Sequence, residues 1–157
     1  MIHIIVVDDH QIVTDGLKTL LSQDDDIKVL DTFTNGQDAV MFCKDFHVDV
    51  ALLDISMPIM DGITACEKIT ASCSTKIIAL TNHQELVYIY KMLNAGALGY
   101  VHKTTNKKTL IEAIKRYISI RTFFVMMFGN SLSIWIHFMS QTPSKQRQVF
   151  LRERRKY

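Results

Sequence analysis

The stretch Ile4-Ile5-Val6-Val7-Asp8-Asp9, near the start of the chain, decides the fold. Four consecutive β-branched residues are typical of a strand that is buried on both faces of a parallel sheet. Two carboxylates follow where this strand would end. The pattern returns twice, with Asp54 after residues 50–53 and Lys103 after residues 98–101.

Apolar runs alternate with helix-like stretches as far as residue 118. The predicted strands are 2–7, 27–32, 48–53, 76–80 and 98–101, and the predicted helices are 12–21, 36–44, 63–71, 84–94 and 109–118. This alternation requires right-handed crossovers, which cover both faces of a parallel sheet with helices. The carboxyl ends of such strands converge on one crevice. The sequence therefore predicts a pocket that contains Asp8, Asp9, Asp54 and Lys103.

The side chains expected in this pocket suit a divalent cation and a phosphoryl group. Asp8 and Asp9 repel each other, so a cation beside them stabilises the pair. Mg²⁺ prefers oxygen ligands, and Asp54 would supply a further oxygen. Asp54 could also attack phosphorus, because carboxylates form aspartyl phosphates. The ammonium of Lys103 and the hydroxyl of Thr81 would then contact phosphoryl oxygens.

At these positions the chain resembles the receiver domain of two-component response regulators. The matching motifs are Val6-Val7-Asp8-Asp9-His10, Leu52-Leu53-Asp54-Ile55-Ser56-Met57-Pro58-Ile59-Met60-Asp61-Gly62, Ala79-Leu80-Thr81 and Ala95-Gly96-Ala97-Leu98-Gly99-Tyr100-Val101-His102-Lys103. The resemblance covers residues 1–118 and is greatest to the LuxR-type (NarL/FixJ) subfamily, whose receiver precedes a DNA-binding domain. It implies a flavodoxin-like (CheY-like) α/β fold, a five-stranded parallel sheet in the order 2-1-3-4-5 with helices on both faces.

The resemblance also implies a role for each residue of the pocket. Asp54 would accept a phosphoryl group from a phosphohistidine on a sensor histidine kinase. Thr81 and Lys103 would contact the phosphoryl oxygens. Mg²⁺ would be bound by Asp8, Asp9, Asp54 and the backbone carbonyl of Ser56. The chain would catalyse only its own phosphorylation and dephosphorylation, so no separate metabolite is expected as a substrate.

Three further residues are expected to take part in a conformational switch. Tyr100 would be the aromatic partner that moves when Thr81 turns toward the phosphate. Pro58 and Gly62 would shape the loop beside the site. The movement would change the surface of the fourth helix, fifth strand and fifth helix, through which two copies could also pair.

Some residues beside the pocket depart from the family pattern or add to it. Many receivers carry proline after the conserved lysine, often with a cis peptide between them, whereas Thr104 follows Lys103 here. The LuxR-type subfamily often lacks that proline. His10 and His83 could flank the site, but each is interpreted as an exposed loop residue because Mg²⁺ prefers oxygen.

Two other functions fit parts of the pattern. One is a phosphatase of the haloacid-dehalogenase type, which also uses an aspartate nucleophile and Mg²⁺. That class requires two acids spaced Asp-x-Asp after its first strand, whereas Asp8 and Asp9 are adjacent. The other is an interaction or dimerisation module on the same fold that is never phosphorylated.

A change in composition predicts a receiver domain over 1–118 and a tail over 119–157. Residues 122–139 carry no formal charge, whereas residues 141–157 carry a net charge of +5 and the remaining 140 residues −3. The tail is shorter than the expected DNA-binding domain, so DNA is a partner only if a missing effector domain exists. We interpret the tail as a linker remnant, a truncated effector or, over 119–140, a self-association segment. As a membrane span, its uncharged part is short and diluted by polar residues.

The cysteines and the first residues indicate a cytoplasmic protein. The chain has three cysteines without metal-ligand spacing, and we expect all of them to be reduced. Residues 1–4 enter a strand at once and lack the basic region of a signal peptide.

Overall fold

The structure, a computed structural model, describes residues 1–82, 86–119 and 125–127. Within these residues, strands and helices alternate along the chain. The strands are β1 (Ile2–Val7), β2 (Ile27–Phe33), β3 (Val50–Leu53), β4 (Lys76–Thr81), β5 (Gly99–His102) and β6 (Val125–Met127). The helices are α1 (Gln11–Leu21), α2 (Gly36–Asp45), α3 (Gly62–Ser72), α4 (Leu86–Asn94) and α5 (Lys107–Ser119).

The strands form one parallel sheet in the order β2-β1-β3-β4-β5-β6. This confirms the predicted order 2-1-3-4-5 for the first five strands. β6 is an addition that the sequence analysis did not predict, and it pairs with β5 so that Val125 lies opposite Gly99. Apart from Ser119, which ends α5, the other residues of the tail lie outside the described residues, and so do its three interpretations. No described helix is long and apolar enough to cross a membrane.

Alternate residues of the central strands point to opposite faces of the sheet. Ile5 and Val7 of β1 join a cluster with side chains of α2, α3 and α4, whereas Ile4 and Val6 join a cluster with α1 and α5. All four residues are at most 1% exposed. Because helices cover both faces, a central strand contains no polar alternation, which explains why a continuous β-branched run predicted it.

Side-chain caps set several helix ends. Asn35 and Asp61 accept hydrogen bonds from backbone N–H groups in the first turns of α2 and α3. Gly96 has a φ of +98°, as expected for the glycine predicted to end α4. The start of α5 was predicted two residues late. The Asn106 side chain accepts a hydrogen bond from the Thr109 N–H, so the helix begins directly after Asn106.

The start of β3 was also predicted wrongly. The prediction began the strand at Val48, whereas the structure begins it at Val50. Val48 is buried at 1% exposure without belonging to the strand, so its apolar character reports burial and not strand geometry. The described part of α4 begins at Leu86, and residues 83–85 at its predicted start lie outside the described residues. All three cysteines are free.

Candidate functional site

Backbone pairing brings the ends of β1 and β3 together. Val7 is the register partner of Leu53, and the Asp54 N–H donates to the Val7 carbonyl oxygen at 2.9 Å. Asp8 and Asp54 therefore both lie one residue beyond the paired strands, at the same edge of the sheet. Their side chains are only 1% and 6% exposed.

The ends of β4 and β5 meet at the same edge. Thr81 pairs with His102, and the Lys103 N–H donates to the Thr81 carbonyl oxygen at 3.1 Å. Thr81 has no exposed surface. The backbone of this pair fixes where the Lys103 side chain starts, and the side chain then extends toward β1.

The Lys103 ammonium joins the two pairs of strands. Its Nζ lies 2.6 Å from Asp8 Oδ2 and 3.3 Å from Asp54 Oδ1. The Lys103 side chain is 11% exposed, so water screens these attractions less than it would at the surface. The structure therefore brings together the lysine and two of the carboxylates that the sequence predicted for one pocket, and the nearer carboxylate is that of Asp8.

Four side chains that could bind a metal ion lie close together at this edge of the sheet. Ligand atoms of Asp8, Asp9, His10 and Asp54 all lie within 4.8 Å of one another. His10 Nδ1 is 3.0 Å from Asp9 Oδ1 and 3.1 Å from Asp8 Oδ1. The His10 side chain is exposed, as predicted, but it borders the acidic pair. Two buried carboxylates and the exposed one of Asp9 fit Mg²⁺, which takes oxygen ligands and keeps several waters.

The charge on Asp54 is disfavoured by its surroundings. Burial raises the pKa of Asp54 above its ordinary value, the Lys103 ammonium opposes this rise, and the Asp8 carboxylate adds to it. The pocket therefore holds more negative charge than one ammonium offsets, and a bound cation would stabilise the ionised carboxylate.

The loop after β3 folds back onto Asp54. A Cβ atom on Gly62 would lie 1.9 Å from the Asp54 carbonyl oxygen, so only glycine fits there. The Gly62 N–H donates to the Ile55 carbonyl oxygen at 2.8 Å. Pro58 lies exposed in this loop, and the next residue, Ile59, has a φ of 69°. The loop has a tightly constrained path beside the carboxylate.

Three other predicted residues have different surroundings. Ser56 is exposed two residues after Asp54. Tyr100 is completely buried in β5, whereas strand tyrosines are often only half-buried. Beside it, Gly99 contacts α5 so closely that a Cβ there would lie 2.4 Å from Tyr117 Cζ. His83, the last of the predicted flanking residues, lies outside the described residues.

The sequence analysis assigned no role to His102, which is 9% exposed. Its Nδ1 lies 2.7 Å from Thr104 Oγ1, and its Nε2 lies 3.3 Å from the Asn82 carbonyl oxygen. The sequence did contain a signal for this residue. His102 can donate and accept hydrogen bonds, and it stands directly before Lys103 at a strand position that is buried in this fold.

The family model of the response regulator receiver domain matches residues 4–115. The chain belongs to this family. The response regulator UvrY of Escherichia coli is 39% identical over 135 residues, which cover 85% of this chain and 62% of UvrY. This chain therefore spans less than two thirds of that curated relative.

Solved structures of receivers have the same fold. The signal receiver domain of the response regulator NarL from Mycobacterium tuberculosis superposes with a TM-score of 0.73 at 27% identity, covering 76% of this chain and 98% of that one. A LuxR-family two-component response regulator from Aurantimonas superposes with a TM-score of 0.76 at 25% identity, covering 89% and 98%. The predicted family and its LuxR-type likeness are confirmed.

Proposed function

We propose that this receiver is a phosphorylation-controlled switch in which Asp54 accepts a phosphoryl group from a phosphohistidine on a sensor histidine kinase. The observation that carries the proposal is the position of Lys103 Nζ, 3.3 Å from Asp54 Oδ1 and 2.6 Å from Asp8 Oδ2. A nucleophilic carboxylate beside a mobile cation is the arrangement that phosphoryl transfer requires.

The transfer step uses the Asp54 carboxylate as the nucleophile. One of its oxygens forms a bond to phosphorus while the phosphorus–nitrogen bond of phosphohistidine breaks and its electron pair returns to the imidazole. The Lys103 ammonium neutralises charge on the phosphoryl oxygens, and the Thr81 hydroxyl donates a hydrogen bond to one of them. Attack by water on phosphorus then releases phosphate and restores the Asp54 carboxylate.

Asp8, Asp9 and Asp54 would hold Mg²⁺, together with the backbone carbonyl of Ser56. The buried and exposed carboxylates fit this ion because they offer oxygen ligands and leave room for water. When bound, Mg²⁺ supplies positive charge that offsets the negative charge on the transferred group. The raised pKa of Asp54 supports this assignment, since the pocket without a cation disfavours the ionised carboxylate.

The phosphoryl group would bias the surface formed by α4, β5 and α5. The phosphorylated side chain would carry a charge of about −1.5 to −2, where the Asp54 carboxylate carried −1, and it would be larger and offer three acceptor oxygens. Thr81 turns toward it and Tyr100 follows, which shifts an equilibrium between two surfaces. The Tyr100 ring has no exposed surface. In a longer protein with a DNA-binding domain, this surface would control transcription, and it is also a candidate for pairing two copies.

An unphosphorylated interaction module remains the second candidate. Thr81 and Tyr100 are both fully buried. This favours an interaction module, because side chains that stay fixed in the core would not make the movement that a switch requires. A phosphatase is less favoured, since Asp8 and Asp9 are adjacent and one of them is tied to Lys103.

Labelling with acetyl phosphate separates these functions. We expect the full chain with Mg²⁺ to gain one acid-stable, base-labile phosphoryl group by intact mass, and Asp54→Asn to gain none. Asp15→Asn is the matched control, because this residue lies on the exposed part of α1, where its carboxylate accepts a hydrogen bond from the Gln11 side chain. Labelling of Asp54→Asn at the wild-type rate would contradict the proposal. Release of phosphate from many esters would indicate a phosphatase. The absence of any reaction would indicate a binding module.

A further inference from the structure

The imidazole of His102 lies between two loops of the site. Its Nε2 is 3.3 Å from the carbonyl oxygen of Asn82, the residue after β4. Its Nδ1 accepts a hydrogen bond from the Thr104 N–H at 3.3 Å and lies 2.7 Å from Thr104 Oγ1. One ring therefore contacts the residue that follows Thr81 and the residue that follows Lys103.

These partners select one form of the ring. A carbonyl oxygen can only accept, so the bond to Asn82 requires a hydrogen on Nε2. A backbone N–H can only donate, so the bond from Thr104 requires an unprotonated Nδ1. These two backbone contacts of His102 are therefore satisfied together by the tautomer with its hydrogen on Nε2.

The backbone of the same residue closes the turn that presents the lysine. The Thr105 N–H donates to the His102 carbonyl oxygen at 2.9 Å, which places Lys103 and Thr104 at the centre of a β-turn. The first of these central residues is also bonded to β4, through its N–H and the Thr81 carbonyl oxygen. The imidazole ties the second to the loop after β4, so both are held from the same side.

This arrangement gives a reason for the absence of proline after the lysine. Proline has no N–H and could not donate to His102 Nδ1. The Thr104 N–H makes that bond, and the peptide bond before Thr104 is not cis.

We propose that His102 is a positioning residue, which holds the Lys103 turn against the loop after β4 so that the ammonium lies between Asp8 and Asp54. This inference rests on the proposed function, because its effect is on phosphoryl transfer. His102 would act through Thr104 and Asn82, which it contacts directly.

Four substitutions at position 102 test the two hydrogen bonds separately. His102→Leu fills a similar space without either bond. His102→Asn keeps an acceptor near the Nδ1 position, and His102→Gln keeps a donor near the Nε2 position. We expect His102→Leu and His102→Ala to slow Asp54 labelling by about three- to tenfold, the equivalent of one lost hydrogen bond. The Asn and Gln variants should each recover part of the rate. His47→Ala, at an exposed histidine that contacts Asp49, is the matched control.

Substitution of the other partner gives a second, independent test. Thr104→Pro removes the N–H that His102 accepts. We expect it to slow labelling alone but to add nothing to His102→Leu, because both remove the same contact. The long-range proton–nitrogen spectrum of the full chain should show the His102 ring protonated on Nε2, and this signal is lost in the Asn variant.

The outcomes separate this inference from the proposed function. Failure of the unsubstituted chain to label Asp54 would overturn the proposed function itself. A wild-type rate for His102→Leu, a rate for the Asn and Gln variants as low as that for Leu, or a ring protonated on Nδ1 would each overturn the positioning role while leaving the acceptor intact. If His102→Ala does not fold, as judged by circular dichroism, the Leu, Asn and Gln series carries the test.

Discussion

The two halves of the site are held by different kinds of contact. At the ends of β1 and β3, the main chain itself fixes Asp54, through the bond to the Val7 carbonyl oxygen and the close approach of Gly62. At the ends of β4 and β5, the lysine turn has main-chain bonds too, but it depends in addition on the polar contacts of one side chain, that of His102. Close main-chain packing resists any displacement, whereas polar side-chain contacts can exchange partners when the local charge changes. The Asp54 carboxylate is therefore held more rigidly than the Lys103 ammonium that contacts it.

The strongest test of this difference is Gly62→Ala. The added methyl group would lie 1.9 Å from the Asp54 carbonyl oxygen, and the main chain has no room to move away. We expect the free energy of unfolding in urea to fall by at least about 3 kcal/mol, with loss of Asp54 labelling in the folded fraction. A change of less than about 1 kcal/mol would show that the β1–β3 half is not rigid.

Gly16→Ala is the matched control for that substitution. Nothing lies within 4 Å of a Cβ atom at Gly16, which is inside α1. Because alanine is the better helix former, we expect this variant to be more stable by about 0.5–1 kcal/mol. The opposite signs of the two glycine substitutions would separate close packing from a general effect of added side-chain bulk.

Lys103→Ala tests the polar half and should have a smaller effect on stability. Without the ammonium, the buried carboxylates of Asp8 and Asp54 lose an opposite charge at 2.6 Å and 3.3 Å. We expect a loss of about 2 kcal/mol in metal-free buffer, with most of it restored by Mg²⁺. Lys68→Ala on the exposed side of α3 is the control. A loss that Mg²⁺ leaves unchanged would mean that no cation can replace the ammonium.

The smallest expected effect is a change with pH in the difference in stability between the Asp54→Asn variant and the wild type. Because burial raises the pKa of Asp54, the folded wild type binds this proton more tightly than the unfolded chain does. The contribution of Asp54 to wild-type stability is therefore fully present below the ordinary value of 3.8 and is lost as pH rises through the raised pKa. Asparagine does not titrate, so in metal-free buffer Asp54→Asn should gain on the wild type as pH rises through this window, and the gain should vanish in acid.

Urea unfolding at a series of pH values measures this difference. Mg²⁺ should shrink the advantage of Asp54→Asn at neutral pH, because the ion stabilises the ionised carboxylate. Asp15→Asn should show no such pH dependence. An advantage of Asp54→Asn that grows in acid would contradict the sign derived from the raised pKa.

Much of the fold and of the candidate site was predictable because short-range patterns report burial. The run 4–7 predicted a central strand, and the acids after it predicted the edge where the pocket lies. The start of β3 was not predictable, because Val48 is as apolar as a strand residue and only its position relative to β1 and β4 shows that it precedes the strand. The strand β6 was missed because its residues resemble the rest of an uncharged segment.

The sequence by itself determined the order of strands and helices, the family and the set of charged residues at the strand ends. These follow from local patterns, which depend on residue type and spacing along the chain. Only the tertiary structure decided that the lysine lies nearer Asp8 than Asp54, and that His102 joins the loops after β4 and β5. Such contacts depend on the path of the chain in space, because residues far apart in sequence share them and neither residue alone contains a signal of the other.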